Sequence, residues 1–181
     1  ERMAPVVLRI DEIEKQMSGM GGGGNLDSGV GSRVMAPLLS WLQDRTQPVF
    51  IVATANNIES LRPELLRKGR FDEIFFLDLP NSEEILSILQ YHILGRVQDM
   101  TFKEKQYKDL TLQLHGWSGA EIEQVVIQSL RHIESAKLNV YDMFEPILAE
   151  EIGRTVPLSV IRKEDIDKIR NWAVTNNARL A

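Results

Sequence analysis

Cysteine is missing from this 181-residue chain. That excludes disulfides, thiolate zinc sites and thiol nucleophiles. No apolar run approaches the roughly 18 residues of a spanning helix, and no signal peptide is visible. The expectation is a soluble protein of a reducing compartment, with no membrane partner. His92, His115 and His132 are scattered, without the HxxxH or HxxE spacing that gathers metal ligands. They read as surface or packed side chains. Basic residues are outnumbered, 21 to 26, for a net charge of −5. There is also no basic stripe interleaved with aromatics, so gripping nucleic acid is not the expected task. Otherwise the composition is ordinary for a globular protein, 43% hydrophobic and 26% charged, which rules out disorder and fibre.

Three short apolar runs carry a strand pattern. They are Val6-Val7-Leu8-Arg9-Ile10, Pro48 to Ala55 and Glu73 to Leu79, and each reads as a buried strand. Between the first two lies Ser18 to Ser32, which holds seven of the twelve glycines and reads as flexible coil. Ser32 to Arg45 has helical spacing (Met35, Leu38, Leu39, Leu42) with Ser32 as a plausible cap. A short helix is expected around Pro63 to Leu66. Strands alternating with helical segments indicate an α/β unit with a parallel sheet. After Pro80 the pattern is helical throughout: Ser82–Arg96, Phe102–Leu114, Ser118–Leu138, Tyr141–Ile152 and Lys163–Ala178. No strand is expected beyond Leu79. The chain thus divides into a partial α/β domain, 1–80, and an all-helical domain, 81–181.

Four motifs carry chemistry. The first strand ends in Asp11-Glu12, two carboxylates at the end of an apolar element. Ligands bind at the carboxyl ends of strands in α/β sheets. There an Asp can hold Mg²⁺, mostly through water, and a Glu can polarise an attacking water. Equally, Asp-Glu can simply begin the next helix, where acids favour the dipole. The second strand ends near Asn56. Its amide can donate to a phosphate oxygen and position a nucleophile, or merely start a turn. Arg67-Lys68-Gly69-Arg70 is a solvated turn or a pair of planar cations for a phosphate. At Gly116-Trp117-Ser118-Gly119-Ala120-Glu121, Gly116 can stop one helix and Ser118 can cap the next, with Glu121 completing a capping box. Nothing in those residues alone demands a ligand. Glu14 and Lys15 read as charges on a helix surface.

Taken in order, Asp11-Glu12, ATANN at 53–57, LRPELLRKGRFD at 61–72 and GWSGAEIEQVV at 116–126 resemble the AAA family of ATPases, from Walker B through the helical lid. The stretch SWLQDRTQPVFIVATANNIESLRPELLRKGRFDEIFFLDLP and the later VPLSVIRKEDIDKIRNWA resemble the AAA proteins of cyanobacterial and algal plastid genomes. The resemblance covers nearly the whole chain. It implies an α/β nucleotide-hydrolase core holding strands 3, 4 and 5 of a 5-1-4-3-2 parallel sheet, then an all-helical lid. By the same resemblance Asp11 is the Walker B aspartate that organises Mg²⁺, Glu12 the water-activating glutamate and Asn56 the sensor-1 asparagine. Arg67 and Arg70 match the arginine fingers that reach the γ-phosphate of a neighbouring subunit. Gly119 and Ala120 match the lid position beside the nucleotide, so no sensor-2 arginine is expected there. ATP and Mg²⁺ are the implied cofactors and a homo-oligomeric ring, a hexamer, the implied assembly. A protein is the implied substrate, in the cytoplasm or the plastid stroma.

The family's phosphate-cradling loop, G-x-x-x-x-G-K-[ST], is absent, for the chain has no Gly-Lys dipeptide. The P-loop, its helix, the second strand and the main pore loop are expected upstream of Glu1, in a longer polypeptide, and the 181 residues alone are expected to be inactive. Because strand 1 lies between strands 5 and 4 in the family order, those two are not expected to pair here. Against the reading as an ATPase that remodels a protein stands one from another class. It is a non-enzymatic regulatory scaffold that uses the lid as a docking module. A DNA-dependent role ranks third, given the acidic charge.

Overall fold

The computed structural model describes residues 4–18, 37–61, 63–67, 69–98, 100 and 102–181. The glycine-rich stretch and Ser32 lie outside the described residues. Two compact units result. One comprises Glu1–Phe75 with Thr175–Arg179, the other Phe76–Val174 with Leu180–Ala181.

In the first unit, β1 (Val6–Ile10) and β2 (Val49–Ala53) run parallel, in register from Val6 opposite Val49 to Ile10 opposite Ala53. Helix α1 (Ile13–Ser18) follows β1, and α2 (37–44) precedes β2. Side chains alternate across a strand, so Val49, Ile51 and Ala53 point one way and Phe50 and Val52 the other. Of the inward set, Ile51 and Ala53, with Ile10, pack on Ile13, Leu38, Leu42, Leu61 and Leu65, and Val49 is buried as well. Outward-facing side chains are open: Val7 is 66% and Phe50 69% exposed. The expectation of buried strands is therefore corrected, for most of β1, and Phe50 and Val52 of β2, are exposed. Among the described residues this sheet is packed on one face, and there chiefly along β2 and at Ile10, since Val6 and Leu8 on the same face stay exposed; an apolar sequence does not itself supply a cover.

A 3₁₀ turn at Ile58–Ser60 follows, capped by the Asn57 side chain. Residues 63–66 form a hydrogen-bonded turn instead of the expected short helix, with Leu65 its buried anchor. The expected third strand shrinks to β3 (Phe75–Phe76). It is not bonded to β2. Its partner is β4 (Arg179–Leu180), where no strand was expected. The Arg179 N–H donates to the Ile74 carbonyl at 2.9 Å and the Ala181 N–H to the Phe76 carbonyl at 3.2 Å. Two residues are too few to carry a period, which is why the pattern missed β4.

The second unit is helical: α3 (Ser82–Leu94), α4 (Glu104–Gln113), α5 (Gly119–Ser135), α6 (Val140–Arg154), α7 (Leu158–Ile161) and α8 (Lys163–Thr175). Asn81 starts α3 because its side chain accepts the N–H groups of Glu83 and Glu84 while Glu84 returns the bond. In α5, Ile122, Val125, Val126, Ser129 and Ile133 recur at three and four residues and are all buried. They meet Leu89 and Ile93 of α3, Leu114, and Phe144 and Leu148 of α6 in one core. Near its end α8 buries only Ala173. Arg170 ties it down by donating to both oxygens of Asp78 at 2.8–3.0 Å. That carboxylate holds the Arg170 guanidinium above its ordinary value.

Candidate active site

The register of the parallel pair decides what meets at its end. Ile10 lies opposite Ala53, so the residues that follow each strand, Asp11-Glu12 and Thr54-Ala55-Asn56, emerge side by side. This is the carboxyl edge of the sheet, where open valences and side chains gather in α/β folds. Asp11 and Glu12 make the turn into α1, and Glu12 adopts φ = 50°, a left-handed conformation uncommon for a side-chain-bearing residue.

Asp11 accepts from Arg9 Nε at 2.9 Å and from the Thr54 hydroxyl at 3.3 Å, both on Oδ1. Its Oδ2 has no partner among the described residues, and its side chain is 55% exposed. Glu12 Oε1 accepts from Asn56 Nδ2 at 3.1 Å. The Lys15 ammonium sits 2.7 Å from the same carboxylate. Its hydrogen bond to Glu12, and then the carboxylate's charge, hold Lys15 above its ordinary value. The structure thus brings together Asp11, Glu12 and Asn56, three of the residues singled out from the sequence.

Two residues of this cluster were missed or misread. Glu14, expected on the helix surface, is only 4% exposed, and its Oε1 accepts the Asn56 backbone N–H at 3.0 Å. An acid in the first turn looks like a dipole complement in any sequence; only the nearness of the β2 loop buries it. Thr54 carried no signal beyond lying next to the motif, yet it touches both Asp11 and Glu12.

The remaining predicted residues stand elsewhere. Arg70 donates to the carbonyl of Glu64 within its own turn. The Arg67 side chain is exposed and has no partner among the described residues. Neither touches Asp11, Glu12 or Asn56 in this chain. Gly119 and Ala120 form the first turn of α5 in the helical unit. Ala120 is exposed, and a Cβ on Gly119 would meet Ile88 Cδ1 at an ordinary 3.6 Å. Ser118 and Glu121 close the expected capping box around them.

The donor set at the strand ends is all oxygen and amide. A carboxylate with one open oxygen fits Mg²⁺, a hard cation that binds through one or two carboxylates and keeps several waters. Among the described residues no three His, Asp or Glu side chains converge as an all-protein metal cage, so any such ion would depend on water and phosphate for its other ligands. Likewise, among the described residues no helix is long and apolar enough to cross a membrane.

Residues 1–79 match the model of the ATPase family associated with various cellular activities (AAA). Over all 181 residues the chain is 42% identical to the AAA domain-containing protein ycf46 of Pyropia yezoensis, covering 36% of that protein. It is 38% identical to ycf46 of Guillardia theta, covering 100% of this chain and 35% of that one. These are proteins of plastid genomes, and the chain spans about a third of their length. The ATP-dependent zinc metalloprotease FtsH 1 of Thermomicrobium roseum is 30% identical over 160 residues, 86% of this chain and 24% of that protein. In fold, the chain matches the crystal structure of the FIGL-1 AAA domain in complex with ADP with a TM-score of 0.71. That match has 17% identity and covers 95% of this chain and 58% of that one. The architecture is accordingly a part of the AAA core followed by the helical lid. Residues 1–79 thus match the AAA family model, and all 181 residues are similar to about a third of the length of the ycf46 AAA proteins.

Proposed function

We propose that Asp11, Glu12 and Asn56 are the hydrolytic half of an ATP site, and that the polypeptide bearing this chain is an ATPase. The observation that carries the reading is the Asn56 Nδ2 to Glu12 Oε1 bond of 3.1 Å, beside an Asp11 with one oxygen open. Glu12 takes the proton of the attacking water on its carboxylate. Asn56 fixes one oxygen of that carboxylate and so orients the other. Asp11 would hold Mg²⁺ through water, and the bound ion would neutralise charge on the phosphate oxygens.

Arg67 and Arg70 lie in a turn separate from this cluster, which suits a role toward the phosphate of a neighbouring copy in a homo-oligomeric, hexameric ring. Gly119 and Ala120 line the nucleotide from the lid. We read residues 1–80 as the partial core and 81–181 as the lid with its carboxyl-terminal extension. The chain holds no Gly-Lys pair, so we place the phosphate cradle outside these residues and expect them alone to be inactive. Remodelling of a protein is the task such a ring performs, and the plastid-genome relatives favour the stroma, or the cytoplasm of a cyanobacterium, as its place.

The test is Glu12→Gln in the complete polypeptide. The amide cannot take a proton, so ATP turnover should fall by about 10²–10⁴-fold while ATP binding persists. Unchanged turnover would refute Glu12 as the base.

A further inference from the structure

One residue grips the Asp11-Glu12 turn with every polar group it owns. The Thr54 N–H donates to the Ile10 carbonyl at 2.9 Å, and the Thr54 carbonyl accepts the Ile13 N–H at 2.9 Å. Its hydroxyl accepts the Glu12 N–H at 3.0 Å and donates to Asp11 Oδ1 at 3.3 Å. The two backbone bonds do not use the side chain: the first continues the parallel ladder by one step, and the second ties in Ile13, the first residue of α1. The two hydroxyl bonds require Ser or Thr.

What the hydroxyl holds is an unfavourable backbone. A left-handed conformation is disfavoured for a residue bearing a Cβ, and Glu12 has φ = 50°. The N–H of such a residue, turned out of the strand direction, needs an acceptor. Thr54 supplies it from the neighbouring strand. In the same act it sets where the Asp11 carboxylate stands, because one Oγ atom serves both. The hydroxyl therefore fixes the relative placement of two carboxylates that, on the reading above, do different work.

We infer that Thr54 is a positioning residue for ATP hydrolysis. Its hydroxyl pre-sets the Glu12 backbone and the Asp11 carboxylate for the water and the ion shell, without touching the nucleotide. The inference rests on Asp11 and Glu12 being the hydrolytic pair. A hydroxyl that only orients groups already in place affects the rate of the step more than the binding of substrate.

The experiment measures ATP binding and steady-state turnover of the complete polypeptide with Thr54→Val, which keeps the volume, and Thr54→Ser, which keeps the hydroxyl. Glu12→Gln runs alongside. Thr54→Val should lose about tenfold or more in kcat with KM for ATP within about twofold, and need more Mg²⁺ for half-maximal rate. Thr54→Ser should stay within about threefold of the parent. Binding reports folding. If Thr54→Val no longer binds ATP, Thr54→Ala carries the same test, and loss of binding in both overturns positioning in favour of a purely structural role. Parent-like kcat in Thr54→Val, or equal losses in the Val and Ser variants, also overturns it. If Glu12→Gln retains turnover, it is the underlying reading of the site that fails; if Glu12→Gln is inactive and Thr54→Val is not, the failure belongs to Thr54 alone.

Discussion

Glu121 offers a prediction whose size and pH dependence follow from three distances. Its Oε2 accepts the Ser118 N–H at 2.8 Å and the Ser118 hydroxyl at 2.7 Å, and its Oε1 accepts the Leu158 N–H at 2.7 Å. The carboxylate thus caps α5 and also fastens the start of α7. Burial pushes its pKa up, but the two backbone N–H groups and the serine hydroxyl together hold it below its ordinary 4.5. In Glu121→Gln one carboxylate oxygen becomes an NH₂, so one backbone N–H must face another donor. Hydrogen bonds to a charged group contribute about 1.5–3 kcal/mol. Partial exposure lowers that, and a net loss of about 1–2 kcal/mol is expected. For a chain of this size it corresponds to a melting point lower by about 2–8 °C.

The sign with pH is fixed by the direction of the shift. A carboxyl whose pKa is depressed by folding stabilises the folded state above its unfolded value of 4.5. That contribution fades as pH falls through the lower folded value. Glutamine does not titrate. The gap between parent and variant should be full at neutral pH and close progressively below 4.5. Thermal melts followed by helical circular dichroism, across that range, measure it. Equal melting points at neutral pH, or a gap that stays constant down to about pH 3, would refute the reasoning.

Two further predictions concern the helical unit. Phe144 is fully buried and stacks on Phe102 with ring centroids 6.0 Å apart. Phe144→Ala should cost about 3–5 kcal/mol in urea unfolding, and a loss under about 1 kcal/mol would mean the core collapses around the gap. Gly116 has φ = 85°, and a Cβ there would lie 3.0 Å from Ser159 Oγ. Gly116→Ala should therefore destabilise by about 1–2 kcal/mol from the backbone alone, with the contact in addition. Adding Ser159→Ala should recover only the contact part. Complete recovery would show that the backbone conformation costs nothing.

Helices were the most legible part of the chain. Ser118 with Glu121 three residues on is a local signal, and the capping box it predicts is present. The grouping of Asp11, Glu12 and Asn56 was legible too, because each follows an apolar run and the runs pair in parallel. Side chains whose role depends on a distant neighbour were not legible. Nothing local distinguishes Glu14 from a solvated first-turn acid, or Thr54 from an ordinary strand-end threonine. The Leu158 N–H found its acceptor 37 residues away, and β4 is two residues long.

By itself, then, the sequence determined the order of β1, β2 and the long helices, the cap that starts α5 and the kinds of atoms available at the end of the parallel strands. Those are matters of period, local hydrogen bonding and residue chemistry, all written within a few positions of each other. Tertiary structure alone decided the burial of Glu14 and the exposure of the outer faces of β1 and β2. It also paired β3 with the chain's last residues and set Thr54 against the Asp11-Glu12 turn. Each depends on which segment lies alongside, and that is settled by register and packing across dozens of residues.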